Sequence, residues 1–253
     1  MPFRLARRAL RHLEDAPLKL AIVQVRYRPI LAVEQAAHVA DFQEGLGPAY
    51  ELLDSQKAHT LTVYFAPGGM EPPAQPVGET IWRFQRKDNN WLVALSSSSL
   101  GFEAPEYSVF NEFFAEFARV LGVLEERFHP STQTRLGMRY VNEIEDGNLV
   151  ADGLRGFLNP ALAGPVGSEL GTDLLSSLSD LRFRQPDGVF ALRHGLIRPD
   201  AYLLDFDYFT EEEHAFDRQN IRRTAASFHD VIESAFVWSL STEYLERLEE
   251  GAR

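Results

Sequence analysis

A short strand-like stretch, Val25-Arg26-Tyr27, returns later in the chain as Met138-Arg139-Tyr140, with Arg26 and Arg139 separated by 113 residues. Two further landmarks keep nearly that spacing: Trp91 to Tyr202 is 111 residues and Ser108 to Asp217 is 109. A period this long is far outside the range of solenoid repeats, so the chain reads as one unit written twice. The expected fold is α+β, built from internally duplicated βαβββα units with helices packed on one face of antiparallel sheet. Two sheets, or one sheet continuous across a pseudo-twofold, both satisfy the pattern. The ferredoxin-like plait is a distant relative in element order, although the extra strand fits it poorly. The halves divide as residues 1–130 and 131–253, which a single compact domain could also contain.

Period and punctuation place the elements of the first half. In "LAIVQVRYRP" (20–29), Ala21, Val23, Val25 and Tyr27 share one face, while Gln24, Arg26 and Arg28 share the other. A helix is expected over 31–46 with Val33, Ala36, Ala37 and Ala40 inward, then strands near 58–66, 79–86 and 91–99. Ser108 is placed to cap a helix over 109–128, whose stripe is Phe110, Phe113, Phe114, Phe117, Leu121, Leu124 and Phe128.

The second half repeats the order. Its strands are expected at 134–144, 174–185, 189–197 and 201–209, with a helical piece near 151–163 interrupted by Pro160. "PDG" (186–188) and "RPD" (198–200) are tight-turn signals. Asp217 opens a long helix with Ile221, Ala225, Phe228, Ile232, Ala235 and Phe236 along one side.

Composition narrows the chemistry. The chain has no cysteine, which excludes disulfides, thiolate metal sites and a Cys nucleophile and suits a reducing cytoplasm. No apolar run approaches the ~20 residues of a membrane-crossing helix. The N-terminus carries positive charge without a signal peptide's apolar stretch, and Phe3, Ala6, Leu10 and Leu13 read as a short amphipathic helix packed on its own domain. A net charge of −12 gives no general attraction to nucleic acid. The arginines are nonetheless lopsided: if Tyr27, Trp82, Phe84, Tyr140, Leu181 and Phe183 mark core faces, the opposite faces hold Arg26, Arg28, Arg83, Arg135, Arg139, Arg182, Arg184 and Arg193. These either pair across strands with Glu143, Asp180, Asp205 and Asp207, or present guanidinium groups to an anion, an RNA strand or an acidic partner.

"YLLDFDYFTEEEHAFDRQ" (202–219) has the look of a metal site, because Asp205 and Asp207 share a strand face as Mg²⁺ ligands would. Ala94 and Ser96 occupy their places in the first half. No Gly-rich phosphate loop or Walker-type lysine accompanies them, and acidic residues ahead of a helix suit its positive end. Ion pairing with arginine is the favoured role. No catalytic, metal or cofactor constellation is expected: His194, His214 and His229 form no HExxH, and Ser96 to Ser99 lack a hydrolase elbow and read as a polar strand end.

The stretches "PLKLAIVQVRY", "RLGMRYVNEI" and "LLDFDYF…FHDVIESAF" resemble a sporadically distributed bacterial family of proteins about 250 residues long. The resemblance spans nearly the whole chain through loose landmarks. It implies no activity, singles out Arg139, Tyr140, Asn142, Asp205, Asp207 and His229 without assigning roles, and suits genes that travel with defence or toxin–antitoxin loci. The leading expectation is a non-enzymatic cytoplasmic protein that engages a protein partner. RNA or nucleotide binding through Arg26, Arg139, Arg182, Arg184 and Arg193 is the second, and Mg²⁺-dependent phosphoryl transfer at Asp205 and Asp207 the third.

Overall fold

Alternation in the first strand, β1 (Leu18–Tyr27), buries Ala21, Val23, Val25 and Tyr27 completely or nearly so and turns Ile22, Gln24 and Arg26 the other way. The computed structural model describes residues 16–57, 79–105, 110–147, 149, 154, 156–164 and 174–250. Within them follow α1 (Ala36–Leu46), β2 (Tyr50–Lys57), β3 (Thr80–Arg86), β4 (Leu92–Leu95), β5 (Ser99–Ala104) and α2 (Phe110–Phe128). The second part of the chain supplies β6 (Thr132–Glu145), α3 (Pro160–Ala163), β7 (Ser179–Gln185), β8 (Gly188–Arg198), β9 (Ala201–Thr210), β10 (His214–Ala215), α4 (Arg218–Ser239) and α5 (Thr242–Glu250).

All strands join one antiparallel sheet in the order β2-β3-β4-β5-β1-β6-β9-β8-β7, with β10 added beside β6. Moving outward from the central β1–β6 pair, the order is β1-β5-β4-β3-β2 on one side and β6-β9-β8-β7 on the other. Helices cover one face. Phe42 of α1 meets Phe84, Phe113 and Phe117 of α2 meet Phe102, and Phe228 and Phe236 of α4 meet Tyr208 and Phe206. These aromatic contacts form the centre of the core, where ring edges and faces add to simple burial.

Local chemistry explains the departures from the expected elements. The strand expected over 91–99 is two strands, because the serines fold back: Ser96 N–H donates to the Ser99 carbonyl at 2.8 Å, and the Tyr27 hydroxyl donates to the Ser96 carbonyl at 2.9 Å. The Glu79 carboxylate accepts from the Ser97 hydroxyl and the Ser98 N–H, both at 2.7 Å, so hydroxyl-rich sequence becomes a turn. β2 escaped notice because its alternation slips at Leu53, where the register with β3 shifts. The strand expected at 58–66, the N-terminal helix through Leu13 and the Ser108 cap lie outside the described residues.

The expected first helix begins instead as a 3₁₀ turn at Leu31–Glu34, breaks at extended Gln35, and in α1 buries Val39, Phe42 and Leu46, leaving the small Ala36, Ala37 and Ala40 exposed. Pro160 opens α3 where interruption was expected, since its missing N–H costs nothing at a first helical position. The Asp217 carboxylate caps α4 as expected, accepting from Gln219 and Asn220 N–H at 2.9 and 3.2 Å.

β8 must also pass close to another backbone. A Cβ at Gly195, where φ is 158°, would sit 1.9 Å from the Ser177 carbonyl oxygen, whereas one at Gly101 would meet nothing nearer than Ala94 Cβ at 3.7 Å. Gly195→Ala is expected to destabilise the fold by at least about 2 kcal/mol, and Gly101→Ala to stay within about 0.5 kcal/mol, on urea unfolding.

Candidate functional site: the charged face of the sheet

The face opposite the helices is set by the same alternation. Ile22, Gln24 and Arg26 of β1 stand beside Arg135, Gly137 and Arg139 of β6, followed outward by Asp205 and Asp207 of β9, Arg193 of β8, and Asp180, Arg182 and Arg184 of β7. On the other flank lie Ser99, Gly101 and Glu103 of β5, Ala94 of β4 and Arg83 of β3. The helix aromatics Phe42, Phe113, Phe228 and Phe236 pack on the other face.

Register decides which charges meet. Arg139 and Asp207 are direct partners across β6 and β9, but the Arg139 side chain reaches diagonally to Asp205 and donates from Nε and Nη2 to its two oxygens, each at 2.7 Å. Asp205 is only 5% exposed and also has Arg193 at 3.6 Å. Arg193 continues to Asp180 at 3.5 Å, and Arg182 reaches Asp180 at 3.6 Å. Asp207 has Arg135 at 3.7 Å, and burial raises its pKa, an effect that Arg135 and Arg139 oppose and neighbouring Asp205 reinforces. Arg135 in turn lies over the Phe209 ring at 4.7 Å. On the far flank Arg83 has Asp54 at 3.6 Å.

Arg26, like Arg184 at the outer edge, stands outside this pattern. Its cross-strand neighbour is Ser99, as Asp207 is the neighbour of Arg139, and among the described residues no carboxylate lies within ion-pair distance of it. It donates to the Gln24 side-chain oxygen at 3.2 Å, which also accepts from Arg135 at 3.3 Å. A cavity of about 360 Å³ opens here, floored by Ala94 and Gly101 and edged by Arg26, Glu79, Ser98 and Glu103. Burial raises the Glu103 pKa, with Arg83 opposing. The cavity was not legible in sequence, because it depends on the serine turn and on Glu79 reaching it. Ala94 and Ser96, expected to occupy in the first half the places of Asp205 and Asp207, belong to β4, one strand further from the centre than β5, and to that turn.

The remaining singled-out residues lie behind the sheet. Asn142 is buried and donates to the Leu204 carbonyl at 3.2 Å. His229 on α4 places Nδ1 2.9 Å from the Tyr140 hydroxyl and stacks on Phe110 with ring centres 3.5 Å apart. His194 is held in the same manner by Tyr202, at 2.7 Å. Thus Arg26, Arg139, Arg182, Arg184, Arg193, Asp205 and Asp207 share one face, while Asn142 and His229 serve the core side. Among the described residues no cluster of three or more His, Asp or Glu side chains is arranged to hold a metal ion, and no helix is long and apolar enough to cross a membrane.

Compared with models of known protein families and with curated proteins, the chain matches none.

Removing one partner of a buried ion pair leaves the other charge uncompensated, whereas exposed pairs contribute little. Arg139→Ala is therefore expected to cost about 2 kcal/mol in chemical unfolding, since buried Asp205 loses its bidentate partner and keeps only Arg193 at 3.6 Å. Arg28→Ala, which breaks the exposed pair with Glu213 at 2.9 Å, should cost less than about 1 kcal/mol.

Burial pushes the His229 pKa down to about 4, with Asp230 opposing, against about 6.5 when unfolded. Between these values the unfolded chain binds the extra proton, so stability falls as pH drops from about 6.5 towards 4. The full loss attributable to His229 is about 3 kcal/mol, and in His229→Phe the slope of unfolding free energy against pH should flatten across that window.

Proposed function

We propose that this chain is a non-enzymatic binding protein, internally duplicated, that engages a protein partner through the charged face of its sheet. The observation that carries this reading is the pairing of that face's charges: Arg139, Arg193 and Arg135 are matched by Asp205, Asp180 and Asp207. Such a surface offers donors and acceptors of both signs in fixed positions, which suits the mixed polar surface of another protein. RNA would call for exposed aromatic platforms, and among the described residues the one aromatic ring on this face, Phe209, already lies under Arg135. For phosphoryl transfer, both Asp205 oxygens would have to exchange a bidentate guanidinium for Mg²⁺.

Duplication is supported by the strand order, in which β5, β4 and β3 lie outward of β1 as β9, β8 and β7 lie outward of β6, with β2 an additional strand beyond β3, and by a long helix following β5 and β9. The membership in a sporadic bacterial family, and with it a regulatory or defence setting in the cytoplasm, rests on the resemblance of the landmark stretches. A second reading, nucleotide binding, draws on the cavity at Arg26, whose guanidinium is not engaged by a carboxylate among the described residues.

One preparation tests both. The protein purified at low salt is expected to keep a protein-like 260/280 nm absorbance ratio before and after a high-salt wash, and to retain from a lysate of its source a protein that Arg26→Glu releases. Arg26 is chosen because no carboxylate depends on it for burial. A high ratio that collapses with salt would transfer the face to the nucleotide reading, and a metal-dependent activity lost in Asp205→Asn would end the binding reading altogether.

A further inference from the structure

Among the described residues the strand order ends in two outer strands, β2 and β7, and they differ in a way that bears on assembly. β2 carries a register shift at Leu53, a feature that spoils an edge for further pairing. β7 keeps unbroken register with β8 from Ser179 to Gln185, and among the described residues no strand lies outside it. Its Asp180, Leu181, Arg182 and Arg184 are exposed, Leu181 by 38%.

The turn between β7 and β8 has two residues, which makes its closing pair, Gln185 and Gly188, mutually hydrogen-bonded. By alternation, Leu181 and Phe183 direct their peptide groups to β8, while Asp180, Arg182 and Arg184 direct theirs outward. Three outward-facing peptide units in a straight strand are a template for one more strand.

We propose that the occupant is β7 of a second copy of this chain, antiparallel across a twofold axis at Leu181. The charges select this register. Centred on Leu181, Asp180 faces Arg182 of the other copy twice, and the two Leu181 side chains meet on the helix-side face. Centring on Arg182 pairs Asp180 with Arg184 but sets Arg182 against itself at the axis, where the Leu181 register has no like-charge pair; centring on Asp180 sets two carboxylates together; centring on Phe183 opposes Arg182 and Arg184. Like charges directly opposite are unfavourable, whereas opposite charges and apolar pairs are favourable. A self-complementary contact of this kind closes as a dimer and cannot propagate. The interface is one strand wide, so the dimer is a weak one whose population follows concentration.

Sedimentation velocity of the full chain over a concentration series tests this. The wild type is expected to shift from monomer to dimer, with Asp180→Arg and Arg182→Asp each raising the dissociation constant at least tenfold. The double variant Asp180→Arg/Arg182→Asp, and an equimolar mixture of the two single variants, should both regain the dimer, because each restores opposite charges across the axis. Far-UV circular dichroism keeps loss of fold separate from loss of pairing. A chain that stays monomeric throughout, a dimer indifferent to the single changes, or single losses that neither combination repairs would overturn the proposal. Asp180 and Arg182 belong to the charged face on which the partner reading rests, but Arg26 lies four strands away on β1, so Arg26→Glu scored for partner retention and for dimerisation separates the two.

Discussion

Everything in this architecture hangs on the antiparallel pairing of β1 with β6. Each strand is fully buried on its helix-side face, Ala21, Val23 and Val25 against Leu136 and Met138, and each carries the outer strands of its own half on its far edge. Without that ladder there would be two sheets, each ending in a strand with unpaired peptide groups and an apolar face. With it, the charged face becomes continuous, so that Arg26 and Arg135, contributed by different halves, share the oxygen of Gln24.

The charged face follows from the core. Because period 2 commits alternate residues to the helix side, the polar residues between them are delivered to the other side, at spacings the backbone dictates. Arg139 then finds Asp205 by reaching diagonally past its direct neighbour, and the burial of that carboxylate makes the interaction matter more than the exposed pairs around it. On the other flank Arg26 has Ser99 beside it on β5, and a serine turn and a cavity lie there. One sheet thus carries a side laced with ion pairs and an open side with an arginine at its edge.

Much of this was legible as pattern. Alternation placed Arg26, Arg139, Arg182 and Asp205 on the polar side correctly, and the Phe stripe of α2 and the Asp217 cap of α4 were visible because their determinants lie within a few residues. What stayed hidden depends on distant atoms. Ser96 to Ser99 turn because Glu79 and Tyr27 bind them, β2 pairs despite a bulge in its alternation, and the choice of Asp205 over Asp207 by Arg139 is a matter of register. Short, locally ambiguous segments are settled by tertiary partners, and no window of sequence contains those partners.

The central ladder has a consequence for how the chain is made. β1 and β6 are separated by the whole of the first half, so the sheet's middle closes through contacts of long sequence separation. During synthesis β1 can find β5 as soon as the first half has emerged, while its other edge waits for β6. Until then the nascent first half holds out a bare apolar strand, and the interval before β6 arrives is the stage at which this protein most needs protection from its neighbours.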